Sequence, residues 1–180
     1  MKGLEANIAL ERVSLKSLAT EHIQDLRTAC AADPDIWDIY PHSMLDEHFE
    51  PAVQAMLENP YRLPFAVLAV GGCEQKVVGM TSCINPNSHG VVEIGGTYIE
   101  PSVRGTGFND LMKKLMIDHA FACGFRRIEF RVDARNKRSA AAVLKLGAKL
   151  DGTLRQNIVT WTGHVRDTHV FGLLQEDWNG

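Results

Sequence analysis

A chain of 180 residues with 45% hydrophobic content is long enough for one well-buried domain and short for two, and its net charge of −3 gives no global pull toward nucleic acid or an anionic membrane. Its four cysteines, Cys30, Cys73, Cys83 and Cys123, lie far apart without a C-x-x-C spacing, which argues against a zinc site and a disulfide framework and reads as reduced thiols of a cytoplasmic protein. The N-terminus lacks the apolar core of a signal peptide, and no segment approaches the ~20 apolar residues of a membrane helix.

Ile8 to Val13 is expected as a first strand, and Thr20 is placed to cap a helix whose Ile23, Leu26 and Cys30 share one face. Asp33-Pro34-Asp35 stops that helix. Ser43 starts a second one, with Asp46 at the third position and Leu45, Phe49, Val53, Met56 and Leu57 at helical spacing, closed by Asn59-Pro60. Phe65 to Val70 reads as an apolar strand, Gly71-Gly72 as a turn and Lys76 to Ile84 as the antiparallel return. A turn from Asn85 to Gly90 leads into a strand from Val91 to Ile99. The next helix runs from Phe108 to about Cys123, carrying Leu111, Leu115 and Ile117 toward the core and Lys113 and Lys114 outward, and Gly124 closes it. Arg127 to Val132 then completes a strand-helix-strand crossover. Ser139 to Lys145 is helical and stops at Gly147, and two strands, about Ala148 to Val159 and Val165 to Leu173, join across Trp161-Thr162-Gly163-His164. With no repeat, low-complexity tract or linker, residues 1–180 read as one mixed α/β domain.

The segment from Glu93 to Asn109 runs from an apolar strand into a glycine-punctuated turn that opens a helix. Gly105 and Gly107 let backbone N–H groups approach an anion, the first turn of the helix from Phe108 adds unpaired donors and the positive end of its dipole, and Arg104 supplies a counter-charge. A dinucleotide loop would need a third glycine where Asp110 stands, and no G-x-x-x-x-G-K-[ST] loop for a nucleoside triphosphate occurs. Val103 to Asn109 resembles the acyl-CoA pyrophosphate turn of the GNAT superfamily of N-acetyltransferases, Arg/Gln-x-x-Gly-x-Gly/Ala, with Asn109 in place of the final small residue. Arg131 to Ser139, followed by an Ala-rich stretch and Lys145-Leu146-Gly147, is similar to the second coenzyme-contacting segment. The Asn136-x-x-Ser139 pair and Gly163 to Asp167 point to the branch of ribosomal-protein N-terminal acetyltransferases.

The resemblance implies a mixed, mostly antiparallel twisted sheet flanked by helices, acetyl-CoA as cosubstrate, and no metal. It places coenzyme contacts on the bulged strand at Tyr98, Ile99 and Glu100, on the turn from Arg104, Gly105, Thr106 and Gly107 to Phe108 and Asn109, and on Asn136 as a partner of the pantetheine amides. Glu93 is the implied general base toward the acceptor amine, and strand alternation would put Glu93, Gly95 and Thr97 on one face and Ile94, Gly96 and Tyr98 on the other. The tyrosine that often protonates the leaving thiolate is matched here by Val143, which leaves Ser139 or water as the acid; Ser139 reads equally as a helix N-cap. Trp37, Tyr40 and Trp161 are candidates for the acceptor pocket, or else core aromatics. The histidines lack ligand spacing: His42 and His48 are six apart, His164 and His169 five. The acceptor is an amine, either a protein N-terminal α-amine or a small molecule, and monomer and homodimer both remain open. A coenzyme-binding or sensing module without chemistry is the alternative function.

Overall fold

The computed structural model describes residues 3–72 and 74–180; the expectations for Met1, Lys2 and Cys73 lie outside them. Eight strands form one sheet: β1 (Ile8–Leu10), β2 (Val13–Ser17), β3 (Arg62–Gly71), β4 (Glu74–Ile84), β5 (Val91–Ile99), β6 (Arg127–Asp133), β7 (Lys149–Val159) and β8 (Val165–Leu174), in the order β1-β2-β3-β4-β5-β6-β8-β7. Every neighbouring pair is antiparallel except β5 and β6. The helices are α1 (Thr20–Ala31), α2 (Asp46–Glu58), α3 (Phe108–Ala122) and α4 (Lys137–Lys145).

The sheet separates two apolar layers. On one face, Leu26, Trp37, Phe49, Val53 and Met56 from α1, α2 and the 3₁₀ turn Pro34–Ile39 pack on Ala66, Leu68, Met80 and Tyr98. On the other, Phe108, Met112, Met116, Ile117, Ala120 and Phe121 of α3 pack on Val13, Leu15, Val67, Ile94, Ile128 and Phe130, joined by Val143 of α4. Burial of these side chains at about 25 cal/mol per Å² is the main favourable contribution to folding. No described helix is long and apolar enough to cross a membrane. Cys30, Cys83 and Cys123 are unbridged.

Several expectations are corrected here. The single strand from Ile8 to Val13 is a hairpin, because Glu11 takes a left-handed φ of 50° and reverses the chain. Thr20 is the first residue of α1 and not its cap; Ala19 occupies the cap position, its N–H donating to Nδ1 of the buried His22 at 3.1 Å. Asp33-Pro34-Asp35 ends α1, but the chain continues as a 3₁₀ turn. Ser43 organises the approach to α2 by accepting the Leu45 N–H at 3.2 Å, and Leu57 stays 47% exposed, outside the apolar stripe. Ser139 is not the cap of α4: Asn136 is, its Oδ1 accepting the Ser139 N–H at 3.0 Å.

Two departures shape the site. Between β4 and β5 the register steps from Met80↔Tyr98 to Ser82↔Gly95, so β5 spends one extra residue there, at a Gly96 with φ 58°. That bulge breaks the alternation: Ile94 packs on the α3 face while Tyr98 packs on the α1–α2 face, and Thr97 turns toward α3 instead of sharing a face with Glu93. The buried stripe of α3 is also wider than the helical period alone suggested. Lys113, expected outside, is buried beneath Thr97 with Nζ donating to Thr97 Oγ1 at 2.8 Å, while Leu111 and Leu115 are only partly covered.

Candidate functional site

β5 and β6 pair only from Val91↔Arg127 to Glu93↔Glu129. Beyond that point β5 stays with β4 and β6 with β8, and the wedge between them opens into a cavity of about 590 Å³ lined by Glu93 to Ile99 and by Phe130 to Asp133. Arg104, Gly105, Asn109 and Lys113 line one end, with Asn136, the cap of α4, and Ser139 and Val143 of α4 on the same cavity. A wedge in a sheet exposes strand backbone that a bound amide chain can pair with, which a closed sheet cannot offer.

The turn before α3 carries the features an anion needs. Gly105 and Gly107 have φ of 73° and 80°, a region that strains any residue with a Cβ. Gly107 is the cap residue of α3 and no side chain caps that end, so its first N–H groups remain for a ligand. Thr106 folds its hydroxyl back to the Val103 carbonyl at 2.8 Å, and its own carbonyl accepts from Arg12. Phe108 is anchored in the core. Arg104 is not free at the turn: Nε donates to the Ile99 carbonyl at 2.8 Å, the guanidinium pairs with Asp33, and it lies 5.5 Å over the Tyr98 ring. Arg104 therefore locks the turn to the end of β5, and Arg12 brings a second cation to the turn.

At the other end Glu93 lies over the bulge, so close that a Cβ on Gly95 would stand 2.7 Å from its Oε1. Arg131 Nε is 3.4 Å from Glu93 Oε2, and Arg62 packs against Gly96, where a Cβ would collide with its guanidinium. Burial pushes the Glu93 carboxyl above the ordinary carboxylate range; Arg131, Arg62 and Arg166 pull it back and Glu129 adds to the rise. Burial also pushes the Lys113 ammonium down to about 8. Burial and the Arg62 charge lower the His42 pKa, which favours its neutral form.

Of the residues singled out from sequence, the cavity brings together Glu93, Tyr98, Ile99, Arg104, Gly105, Asn109, Asn136, Ser139, Trp37 and Tyr40. Glu100 does not face it: its N–H donates to the Val78 carbonyl at 2.7 Å and its carboxylate takes Lys76 Nζ at 2.7 Å. Trp37 is fully buried between Tyr40 and Tyr98, with Nε1 donating to the Cys30 carbonyl at 3.2 Å, so it is a core aromatic behind the wall. Tyr98 is likewise core, its hydroxyl donating to the Ala29 carbonyl at 2.7 Å. Tyr40 is different: its hydroxyl donates to the Thr97 carbonyl at 2.6 Å and so holds the bulge, and burial pushes it up to about 12. Trp161 braces the 3₁₀ turn from outside the cavity, Nε1 donating to the Trp37 carbonyl at 2.8 Å. Arg62, Arg166 and Lys113 read in sequence as ordinary polar positions on a strand or helix, and Arg131 only as the start of the segment resembling the second coenzyme-contacting one, so none of the four stood out as lining this cavity.

Residues 12–149 match the model of an acetyltransferase (GNAT) domain. The chain is similar to a probable acetyltransferase of the GNAT family from Chromobacterium violaceum, at 31% identity and TM-score 0.89 over 98% of this chain and 89% of that one. It is similar to a GCN5-related N-acetyltransferase from Brucella melitensis, at 24% identity and TM-score 0.87 over 97% and 80% of the two chains. Mycobacterium smegmatis RimJ, solved in complex with CoA-disulfide, shares the fold at 21% identity and TM-score 0.77 over 93% and 84%. No curated protein sequence matches the chain.

Proposed function

Since the chain belongs to the GNAT acetyltransferase family, we propose that it moves an acetyl group from acetyl-CoA directly to a primary amine, with Glu93 as the base that takes the amine proton. When bound, acetyl-CoA supplies a thioester carbonyl open to attack by a neutral amine. The protein's part is to hold, to orient and to move protons. The wedge between β5 and β6 offers backbone to the pantetheine arm, and the uncapped start of α3 with Arg12 nearby receives the phosphates. Asn136 keeps its side-chain amide N–H groups for the same arm, because the cap of α4 uses only its oxygen. The RimJ complex with CoA-disulfide supports the coenzyme part of this reading.

The observation that carries the proposal is the position of Glu93. It lies beside the bulge at the apex of the wedge, where the β5–β6 pairing ends, and burial raises its pKa, which makes the carboxylate a stronger base. Ser139, which lines the same cavity, is the protein group proposed to return a proton to the thiolate, alongside water. The test is Glu93→Gln, assayed by release of free thiol from acetyl-CoA across a panel of amines and peptide N-termini. The expected result is a rate lower by about 10²-fold or more with nearly unchanged acetyl-CoA affinity. A variant as fast as the parent removes Glu93 from the mechanism.

A further inference from the structure

The acceptor end of the cavity carries more positive charge than a proton-transfer site requires. Arg62, Arg131 and Arg166 line it together with only two carboxylates, Glu93 and Asp133. Asp133 is already committed, taking Arg135 NH2 on Oδ2 at 2.8 Å, with Arg166 Nε 4.0 Å from the same oxygen. Glu93 has Arg131 as its partner, and Arg131 divides itself between Glu93 and Glu129 at 3.4 and 3.6 Å. Arg62 is left over. Its Nε donates to Ser82 Oγ at 2.8 Å, and among the described residues no carboxylate stands within ion-pairing distance of it. The guanidinium is laid over Gly96, at the bulge, and half withdrawn from water.

A partly buried guanidinium with no carboxylate in contact is costly; the only carboxylate charge offsetting Arg62 is that of Glu93, which Arg131 and Arg166 also draw on, and the planar fork of Arg62 suits a carboxylate held by two parallel hydrogen bonds. The geometry points to an anion-binding subsite at Arg62, with Arg131 beside it: the acceptor is a primary amine that carries a carboxylate close to its nitrogen. The inference rests on the acetyltransferase reading and narrows its substrate. The amine end lies toward Glu93 while the carboxylate meets Arg62, so both charges of an amino acid are matched within one pocket. A polyamine finds the reverse, with several ammonium groups facing Arg62, Arg131 and Arg166 and one carboxylate available. Gly95 and Gly96 belong to the same device, since a side chain at either would displace Glu93 or Arg62. The carboxylate can come from a free amino acid or from an acidic first residue of a peptide, and the two sources are separable by assay.

The experiment uses the full chain in three arms. Free amino acids are compared with their amides, C-terminally amidated peptides starting with Asp or Glu with those starting with Asn or Gln, and both sets with spermidine, by free-thiol release. The expected result is that a carboxylate-bearing member of one arm exceeds its amide partner by about tenfold or more in kcat/KM, the scale of a hydrogen bond between charged groups. Arg62→Ala should remove that preference by raising KM for the carboxylate-bearing amine while the KM of its amide stays in place, and Arg62→Lys should restore part of it. Calorimetry of CoA-loaded protein with N-acetyl amino acids and their amides reads the same subsite without turnover. Amides or spermidine serving as well as the acids, or no N-acetyl amino acid binding better than its amide, overturns the subsite. If spermidine or an amide is the best acceptor, the acetyltransferase reading stands and only the subsite falls; failure of acetyl-CoA to bind removes the reading itself.

Discussion

Glu93 and Lys113 are displaced from their ordinary protonation ranges in opposite directions by the same cause, loss of water around a charge. For Glu93 the consequence is kinetic. As the proposed base it must be ionised, so kcat/KM should climb with pH through a midpoint above the ordinary 4.5 of a glutamate, and that limb should disappear in Glu93→Gln. For Lys113 the consequence is stability. A folded pKa of about 8 against 10.5 means the ionised form is disfavoured in the native state; its stabilising share is present above the unfolded value and lost as pH falls through about 8. Lys113→Met should therefore raise stability near pH 7, by up to about 3 kcal/mol if the full shift counts, and the gap between variant and parent should close as pH rises toward 10.5. Urea unfolding at pH 7 and pH 10 checks this, and a variant less stable at pH 7 would mean that the bond to Thr97 outweighs burial. The sequence hid Lys113 because a helical period says which positions face inward, and a lysine at such a position is ordinarily assigned to solvent. Arg62, Arg131 and Arg166 were hidden for another reason: they sit on three different strands, and only the sheet order brings them together.

At the scale of elements, the local signals read well wherever periodicity and turn residues act within one segment. β5 runs from Val91 to Ile99 as expected, α3 opens at Phe108 after the Gly105–Gly107 turn, and α4 ends before Gly147. What alternation could not give is the bulge, which depends on how β5 pairs with β4 and not on β5 alone. The resemblance implied a bulge near this place, and the extra residue lies at Gly96, next to the groups that would do the chemistry. Gly96→Ala should cost about 1–2 kcal/mol for its left-handed φ alone, before the collision with Arg62 is counted. Melting points should fall by roughly 2–8 °C for a domain of this size. Gly152→Ala is the control, since a Cβ there meets nothing within 4 Å and the φ is ordinary. Equal melting points for the two variants would show that the bulge does not need its glycine.

Across the whole molecule, the turn and strand proposed to hold the coenzyme form a continuous segment, whereas the groups proposed to meet the acceptor are scattered along the chain. The proposed coenzyme turn and its strand are one continuous stretch from Glu93 to Asn109, so their residue pattern can be read in order along the chain. Of the proposed acceptor end, Tyr40 was offered by sequence, but Arg62 at the start of β3, Arg131 on β6 and Arg166 on β8 come together only in the fold. Both halves depend on the sheet opening between β5 and β6, and that opening exists only in the folded chain. A ligand that fills it must stabilise the fold by mass action. Acetyl-CoA at a hundredfold excess over its dissociation constant should contribute about 2.7 kcal/mol, which at roughly 2–4 °C per kcal/mol is a rise in Tm of about 5–10 °C. NAD or ATP at equal concentration should give far less, because neither has the pantetheine arm proposed to fill the wedge between the strands. No rise with acetyl-CoA at millimolar concentration, or the same rise with all three ligands, would contradict the assignment of this cavity to the coenzyme and the acetyl transfer derived from it.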